Sequence, residues 1–571
     1  MKNPTCVLQG IILVQIFILL ICTRLSHGQF PRECIKNATK PNEGSRCCPV
    51  WAPDGSPPGV CGGSNRGMCL PLDDVTEFFF PSKLTHRHDD RLNWPKAFFT
   101  WVCQCSGNFA GYKCQDCKFG YYGDDCSRKR ILKRRNIFSL SKKERNRFVK
   151  LVLESKTTMH ADYVAIQAEH HDPVENFKFV NVSIYDFFIY IHYYSARNTY
   201  FRNKTLHCDP EPFNYDFSHK GSGFPTFHRL LMLLWERELR KLAEDDEFTI
   251  PYWDWVDQGD RCSVCTNDLF GAFNYSDPKG HIDRRSPFYK WYSLCEMLGS
   301  ANLPDTNYTL ASTNVNDNLN FQATHVSCRF CDPLEKFAGI VRRRDPHNPQ
   351  LPSLRHVDQI LAMSTYDRRP YNKYAGSTFR NCFEGNCPEN GMVYSIHNLV
   401  HAFFNGSLSG VTTSPNDPLF LVHHSMIDKL FERWIRMHKA HSSQLPLYGA
   451  PVGHNRDAFM VPFFPRHRHS EYFVDSRSLG YDYDDFHYGG MKRRDPDTYI
   501  GDKDEGDVYL LILAIAAPVL LFILFVGYIL FSKLSPGGIN AYKGLMVPTS
   551  LENGYKEKLQ LLDDVMTDSD E

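Results

Sequence analysis

Six histidines occur in this sequence at spacings that suit a metal site. His397 and His401 are four residues apart in an amphipathic run, so both imidazoles would leave the same face of a helix. His192, His228 and His424 each fall in a separate apolar run of helical periodicity. Together with His219, the histidines form two groups of three: His192, His219 and His228, and then His397, His401 and His424.

Imidazole nitrogen suits copper, zinc and iron, and six histidines without a cysteine or carboxylate at the same spacing favour copper. Two sets of three that face each other across a helix bundle would form a dinuclear site. The competing interpretation is that a lone histidine on an apolar helix face is a core residue, hydrogen-bonded to the backbone. Other histidines lack the pairing and the flanking residues that favour a ligand role: His160, His170, His171, His207, His467 and His469.

The two ends of the chain carry apolar segments. Residues 1–28 are typical of a secretory signal peptide, with Lys2, an apolar stretch and a small-residue cleavage site. Residues 508–531 are long enough to span a bilayer as one helix, which needs about 20 apolar residues. Acidic residues precede this span, and Lys533 and Lys543 follow it, so we expect a single-pass type I protein with a cytosolic C-terminus.

The cysteines predict an oxidising compartment. Of the 20 cysteines, two lie in the predicted signal peptide, which leaves 18, an even number. Six glycosylation sequons precede the predicted span, at Asn37, Asn181, Asn203, Asn274, Asn307 and Asn405. Cys382 and Cys387 are close enough in sequence to bond each other, which leaves Cys208 in need of another partner.

Composition and periodicity divide the predicted lumenal part. Residues 29–135 are dense in cysteine with the glycine and aromatic spacing of an EGF-like module, and a zinc ribbon is the weaker alternative for Cys114 and Cys117. Residues 136–465 carry four well-signalled helices, at 182–195, 227–243, 392–404 and 419–438, separated by long loops. Residues 466–507 are polar and acidic, as in a stalk. The basic run at 128–135 is expected to be a solvated linker.

The tail, residues 532–571, is short and polar and is assigned no fold. It contains Glu557, Leu561 and Leu562 in an acidic dileucine pattern, which predicts binding to cytosolic sorting adaptors.

In the whole chain, Lys plus Arg and Asp plus Glu both total 65, so net charge gives no indication of a nucleic-acid partner.

The histidine stretches resemble the tyrosinase family of type 3 copper proteins, in particular the vertebrate type. The resemblance extends to Q-F-P-R-E-C at the expected mature start, to A-P-V-G-H-N-R at 450–456, and to the span and tail. It implies a mainly α fold, with a four-helix-bundle dinuclear copper core and long loops, an EGF-like module before it and a transmembrane helix after it. It also implies that His192, His219 and His228 bind one copper ion and that His397, His401 and His424 bind the other, with His423 as a packing neighbour.

The resemblance implies an enzyme that uses O2 to hydroxylate monophenols such as tyrosine and to oxidise dopa to an ortho-quinone, in the melanosome membrane. Two features distinguish such enzymes from zinc-bearing relatives of the dopachrome tautomerase kind. The sequence reads P-Y-W-D-W at 251–255, and it has a double histidine at His423 and His424. A third hypothesis is a non-catalytic matrix protein. An oxygen carrier would use the same copper pair, but a membrane anchor does not suit a carrier.

Further roles are implied by the resemblance, each with an ordinary alternative. Glu384 and Asn398 would hold the water that takes the phenol proton, although Glu384 could cap a helix and Asn398 could lie at the surface. Phe420 would stack on the substrate ring or pack in the core. Val411 and Ser414 would line the loop at the mouth of the site. Asp428, one helical turn after His424, is expected to have an intrahelical or capping role.

Overall fold

The computed structural model describes residues 28–38, 45–53, 56–72, 90–96, 98–167, 178–197, 200–203, 205–208, 215–295, 331, 333–344, 349–387 and 396–486. Nearly all of the predicted signal peptide, the predicted span 508–531 and the tail 532–571 lie outside these ranges. Within the described ranges, no helix combines the length and the apolar character that crossing a bilayer requires.

Helices form the core of the described chain. They are α1 Lys142–Thr157, α2 Ile184–Ala196, α3 Phe224–Ala243, α4 Leu354–Leu361, α5 Phe379–Glu384, α6 His397–Phe404 and α7 Leu419–His438. A helical turn Ile35–Ala38 precedes them, and short 3-10 helices include Ser407–Ser409, Ser414–Asn416, His469–Glu471 and Ser476–Leu479. Helix α3 packs against α7, and α1 packs against α2 and α3.

The four helices predicted from periodicity are α2, α3, α6 and α7. The bounds of α7 agree with the prediction at both ends, whereas α3 begins three residues earlier than predicted because Pro225 occupies its first turn. Both α3 and α7 end at a residue in the left-handed conformation, Glu244 and Lys439 respectively. Helix α2 is buried along its whole length, which fits its almost continuous apolar and aromatic sequence. The start predicted for α6, at 392–395, lies outside the described residues.

The strands are short and mostly pair near the N-terminus. They are β1 Gly28–Pro31, β2 Arg46–Cys47, β3 Val50–Trp51, β4 Gly59–Val60, β5 Gly67–Pro71, β6 Trp101–Cys105, β7 Phe109–Ala110, β8 Asp116–Cys117, β9 Tyr121–Tyr122, β10 Arg128–Lys129, β11 Leu132–Arg134, β12 Tyr163–Gln167, β13 Lys178–Val180, β14 Tyr200–Asn203, β15 Thr205–Cys208, β16 Tyr292–Ser293, β17 Phe337–Ala338 and β18 Tyr481–Tyr483. The three-stranded sheets have the orders β2-β6-β5 and β1-β12-β13.

Disulfides cross-link the N-terminal module. Its ten cysteines pair as Cys34–Cys47, Cys48–Cys69, Cys61–Cys103, Cys105–Cys114 and Cys117–Cys126. The disulfide interpretation is therefore confirmed over the zinc-ribbon alternative. Further along the chain, the bonds are Cys262–Cys265, Cys295–Cys331 and the predicted Cys382–Cys387. The side chain of Cys208 lies outside the described residues, so the expectation that Cys208 bonds another cysteine stays a prediction.

Two predictions about chain segments are wrong. The stalk predicted for 466–507 does not begin at 466, because β18 pairs in parallel with β11 and buries Tyr481 and Tyr483. The basic run at 128–135 is not solvated throughout, because Arg134 is fully buried. The guanidinium of Arg134 bonds Glu236 on α3 and Asp428 on α7, at 3.0 Å each. Both predictions failed because a buried ion network supplies the partners that make polar segments part of a core.

Candidate metal centre

Three buried histidines converge at the first group. His192 comes from the middle of α2, His219 from the loop before α3, and His228 from the first turns of α3. The Nε2 atoms of His192 and His228 lie 3.4 Å apart, and the ring of His219 is centred 4.9 Å and 5.0 Å from the other two rings. One nitrogen from each imidazole lies within 4.8 Å of the others, which is close enough for the three to share an ion.

The Nδ1 atoms of this group are held by the protein, which aims the Nε2 atoms of His192 and His228 at each other. Nδ1 of His192 lies 3.1 Å from the carbonyl of Thr412, and Nδ1 of His228 lies 2.9 Å from the carbonyl of Phe224. Nδ1 of His219 lies 3.2 Å from the Asp216 carboxylate, which also accepts the His219 backbone N–H at 2.9 Å. Such bonds to the other ring nitrogen are typical of histidines that bind metals.

The second group is built in the same way. The Nε2 atom of His397 lies 2.9 Å from Nε2 of His401 and 3.3 Å from Nε2 of His424. Nδ1 of His401 donates to the carbonyl of Leu408 at 2.5 Å. Nδ1 of His397 is near two acceptors, the backbone carbonyl of Glu384 at 3.2 Å and Oδ1 of Asn398 at 2.9 Å.

The two groups touch each other through His228 and His424. Their rings are stacked, with centroids 4.6 Å apart and planes inclined by 23°. The ring of His397 is centred 6.1 Å from that of His228. The predicted arrangement of two adjacent triads is therefore present in the fold, and it offers positions for two neighbouring ions.

Burial keeps the imidazoles of His192, His228, His397, His401 and His424 neutral, as metal ligands must be. Burial and the neighbouring imidazoles lower the pKa of His192 to about 3, and burial lowers the pKa of His401 to about 4. The pKa values of His228, His397 and His424 lie well below the ordinary value for the same two reasons, with burial the larger.

Glu384 and Asn398, predicted to hold a water, both contact His397. Glu384 ends α5 and is buried, and its carboxylate accepts from the backbone N–H of Lys220 and, at 3.2 Å, from Arg380. Burial raises the pKa of Glu384, although Arg380 and the Lys220 N–H oppose that shift. Asn398 is exposed. Each residue thus has a positioning contact, and their role in proton transfer stays a prediction.

Phe420 forms the wall between the two triads. It is fully buried, stacks on His424 with ring centroids 3.9 Å apart, and meets the ring of His192 edge-on at 5.4 Å. These contacts establish a packing role, and a contact with substrate stays a prediction. In the loop after α6, Val411 is 52% exposed and Ser414 is buried.

Sequence reasoning missed several supporting groups. The carbonyls of Leu408 and Thr412 leave no signal in the side-chain pattern, because backbone acceptors are independent of residue type. Asp216, three residues before His219, was visible as a carboxylate beside a predicted ligand. The role expected for Asp428 is wrong, because its carboxylate bonds Arg229 on α3 at 2.6 Å and closes neither its own helix nor a turn.

The chain was compared with known proteins. Residues 182–437 match the family model described as the common central domain of tyrosinase, and residues 87–130 match the laminin EGF domain, which confirms the EGF-like prediction. A tyrosinase of Pelophylax lessonae is 36% identical over 476 residues, covering 82% of this chain and 83% of that protein. The 5,6-dihydroxyindole-2-carboxylic acid oxidase of Gallus gallus is 34% identical over 492 residues, covering 83% and 86%.

Among solved structures, a polyphenol oxidase variant from Thermothelomyces thermophila aligns with 64% of this chain and 90% of its own, at 16% identity and a TM-score of 0.40. The sequence similarity to the Pelophylax lessonae tyrosinase extends over most of this chain and most of that protein. The tyrosinase family model covers the region that holds both histidine groups. The chain belongs to the tyrosinase family.

Proposed function

We propose that this protein is a copper-dependent enzyme that hydroxylates monophenols at the ortho position and oxidises diphenols to ortho-quinones with O2. Tyrosine and dopa are the proposed substrates, which makes the reaction a first step of melanin synthesis. The observation that carries the proposal is the pair of adjacent, buried histidine triads. Membership of the tyrosinase family supports it.

The residues present fit a pair of copper ions. All six donors are imidazoles, and no carboxylate or thiolate among the described residues shares either group. Imidazoles add no charge, so they suit an ion that changes its oxidation state. Copper ions held by these residues would supply the binding and activation of dioxygen.

The chain's own groups would prepare the phenol. A phenol has a pKa of about 10, so it needs a proton acceptor at neutral pH. Glu384 and Asn398, which both contact Nδ1 of His397, are the proposed holders of the water that receives this proton. The ring of Phe420 lies between those of His192 and His424. This buried ring would therefore exclude water from the space between the two triads.

The test is an assay of the full-length, copper-loaded protein with tyrosine and with dopa. We expect quinone formation from both substrates and two copper ions per chain. His401→Ala should abolish both activities, because it removes one of three ligands of an ion. Unchanged dopa oxidation in that variant would refute the copper role. Metal analysis separates this function from the zinc-bearing alternative, which would hold zinc and lack quinone formation.

We further propose that the protein is a single-pass type I membrane protein of the melanosome, with the catalytic part in the lumen and residues 508–531 as the span. The apolar length of that segment, the sequons and the disulfides support this orientation. Cytosolic adaptors would read Glu557, Leu561 and Leu562. Replacement of Leu561 and Leu562 by alanine should divert the protein to the cell surface, and normal delivery of this variant would rule out the signal.

A further inference from the structure

The second histidine group contains one imidazole more than a three-ligand site needs. His423 precedes His424 on α7 and is fully buried. It joins His397, His401 and His424 in a set in which one nitrogen from each ring lies within 4.8 Å of the others. His423 was predicted to be a packing neighbour, yet its ring is centred 5.4 Å from His397 and 4.9 Å from His401, against 5.0 Å and 5.6 Å for the ring of His424.

Both histidines of the pair have unsatisfied ring nitrogens. Neither Nδ1 nor Nε2 of His423 has a hydrogen-bond partner among the described residues, and the same is true of Nδ1 of His424. Buried polar atoms are nearly always hydrogen-bonded, and the exceptions need an explanation such as an ion at the site. These unpartnered nitrogens on two adjacent imidazoles therefore point toward a ligand at this group.

The other five imidazoles of the two triads differ from His424 in this respect. In each of them, Nδ1 lies within 3.2 Å of a carbonyl or side-chain oxygen. The ring of His424 is held by stacking on Phe420 and His228 instead. Because no hydrogen bond fixes the orientation of this ring, His424 is the ligand that can leave an ion with the least disruption of the protein.

The surroundings of His423 offer it aromatic rings rather than hydrogen-bond acceptors. Its ring stacks on that of His397, with centroids 5.4 Å apart and planes inclined by 15°, and meets the ring of His401 edge-on at 4.9 Å. The ring of Trp255 is centred 6.1 Å from that of His423. An ion shared with His397 and His401 is the partner that this environment leaves for His423.

We propose that His423 is an alternate ligand of the second metal ion, which replaces His424 when that ring moves away. The exchange breaks one metal–nitrogen bond and forms another, and it transfers no electron and no proton. The ion would keep three imidazole ligands throughout, so the second position would resist loss of its metal. This inference rests on the proposed function, because it takes copper as the ion held by the second triad.

The first test uses His423→Leu in the full-length protein, loaded with Cu(I) without oxygen. Leucine suits a buried helical position, so we expect the fold to persist. A Cu(I)-specific chelator should remove the second copper faster than in the wild type, because the loss of a group that supports a metal site typically weakens metal binding about 10–100-fold. The first copper should leave at an unchanged rate. Release of the second copper from His423→Leu at the wild-type rate overturns the proposal.

The second test compares His424→Ala with the control His192→Ala, which removes one ligand from the first group, where the described residues include no fourth imidazole. Copper per chain is measured by elemental analysis, and circular dichroism confirms that each variant is folded. We expect two coppers in His424→Ala, and one in His192→Ala and in the double variant His423→Leu/His424→Ala. One copper in folded His424→Ala overturns the inference alone. Fewer than two coppers in the wild type would overturn the proposed function as well.

Discussion

The carboxylate of Asp428 on α7 lies 2.6 Å from Nε of Arg229 on α3, and each residue follows a predicted ligand on its own helix. Arg229 comes directly after His228, and Asp428 lies one turn beyond His424. The same carboxylate accepts from Arg134, Tyr481 and Tyr483 at 2.6–3.0 Å. This buried ion pair therefore joins the two helices that bring the triads together.

Asp428→Asn should destabilise the protein strongly. Burial alone would raise the pKa of Asp428, but Arg229 and Arg134 hold it below its usual range, so the group is ionised. Its removal leaves buried guanidinium charge unbalanced, which costs about 3–5 kcal/mol in free energy of unfolding. Chemical denaturation measures this change. Asp283→Asn, which breaks a pair with the exposed Arg285, is the control and should leave the unfolding midpoint unchanged.

Asp216→Asn should weaken the first copper position and spare the second. The Asp216 carboxylate orients the ring of His219 and its backbone, and loss of such support typically reduces metal affinity about 10–100-fold. Copper titration against a chelator should resolve one weakened and one unchanged ion. Two ions of wild-type affinity would show that Asp216 does not position His219.

Glu384→Gln tests whether this carboxylate assists proton transfer. A glutamine still accepts the Lys220 N–H, so the fold should survive, while the loss of a proton acceptor should lower kcat for tyrosine about 10²-fold or more. Steady-state kinetics with copper content and thermal stability measured in parallel provide the readout. A variant with a reduced melting temperature and a normal kcat per bound copper pair would assign Glu384 a structural role only.

The metal-free protein should lose stability between pH 6.5 and pH 4. Burial lowers the pKa of His454 to about 4 and that of His469 to about 3, against about 6.5 when unfolded. The unfolded chain therefore binds more protons in this range, so stability is complete above pH 6.5 and falls as the pH falls. The slope should reach about 1.4 kcal/mol per pH unit for each such histidine.

Urea unfolding of the metal-free protein at several pH values measures this slope. His469→Gln is the matched variant, since glutamine keeps hydrogen-bonding groups near Thr226 and Gly453 without titrating. Its unfolding free energy should depend less steeply on pH. A slope equal to that of the wild type would mean that His469 titrates normally in the fold.

Gly223→Ala should loosen the loop that carries His219. A Cβ at this position would lie 2.2 Å from Cε1 of His469, closer than any real contact, although the backbone angle itself would accept alanine. We expect a lower melting temperature and weaker binding of the first copper. The double variant Gly223→Ala/His469→Ala removes the clash and should recover stability relative to the single variant. A single variant as stable as the wild type would contradict this account.

Local pattern determined much of this protein. The spacing of His397 and His401 predicted one helix face, and the apolar periodicity of 419–438 predicted helix α7. The cysteine density near the N-terminus predicted disulfides. The structure confirms all three predictions. Five of the six imidazoles lie in predicted helices, which place residues at known angles, whereas His219 lies in a loop and its ligand role was implied by the family resemblance. The pairing of Cys382 with Cys387 also followed from proximity in the chain.

Only the tertiary structure decided which groups support those imidazoles. The carbonyl of Thr412 reaches His192 across 220 positions of sequence, and Arg134 reaches Asp428 across 294. Such partners depend on how distant segments pack, and neither backbone acceptors nor buried ion pairs leave a periodic signal. The sequence by itself therefore determined four of the helices and, through the family resemblance, predicted the ligands. Packing decided the orientation of those ligands, the absence of a hydrogen bond to Nδ1 of His424 and the position of His423 beside it.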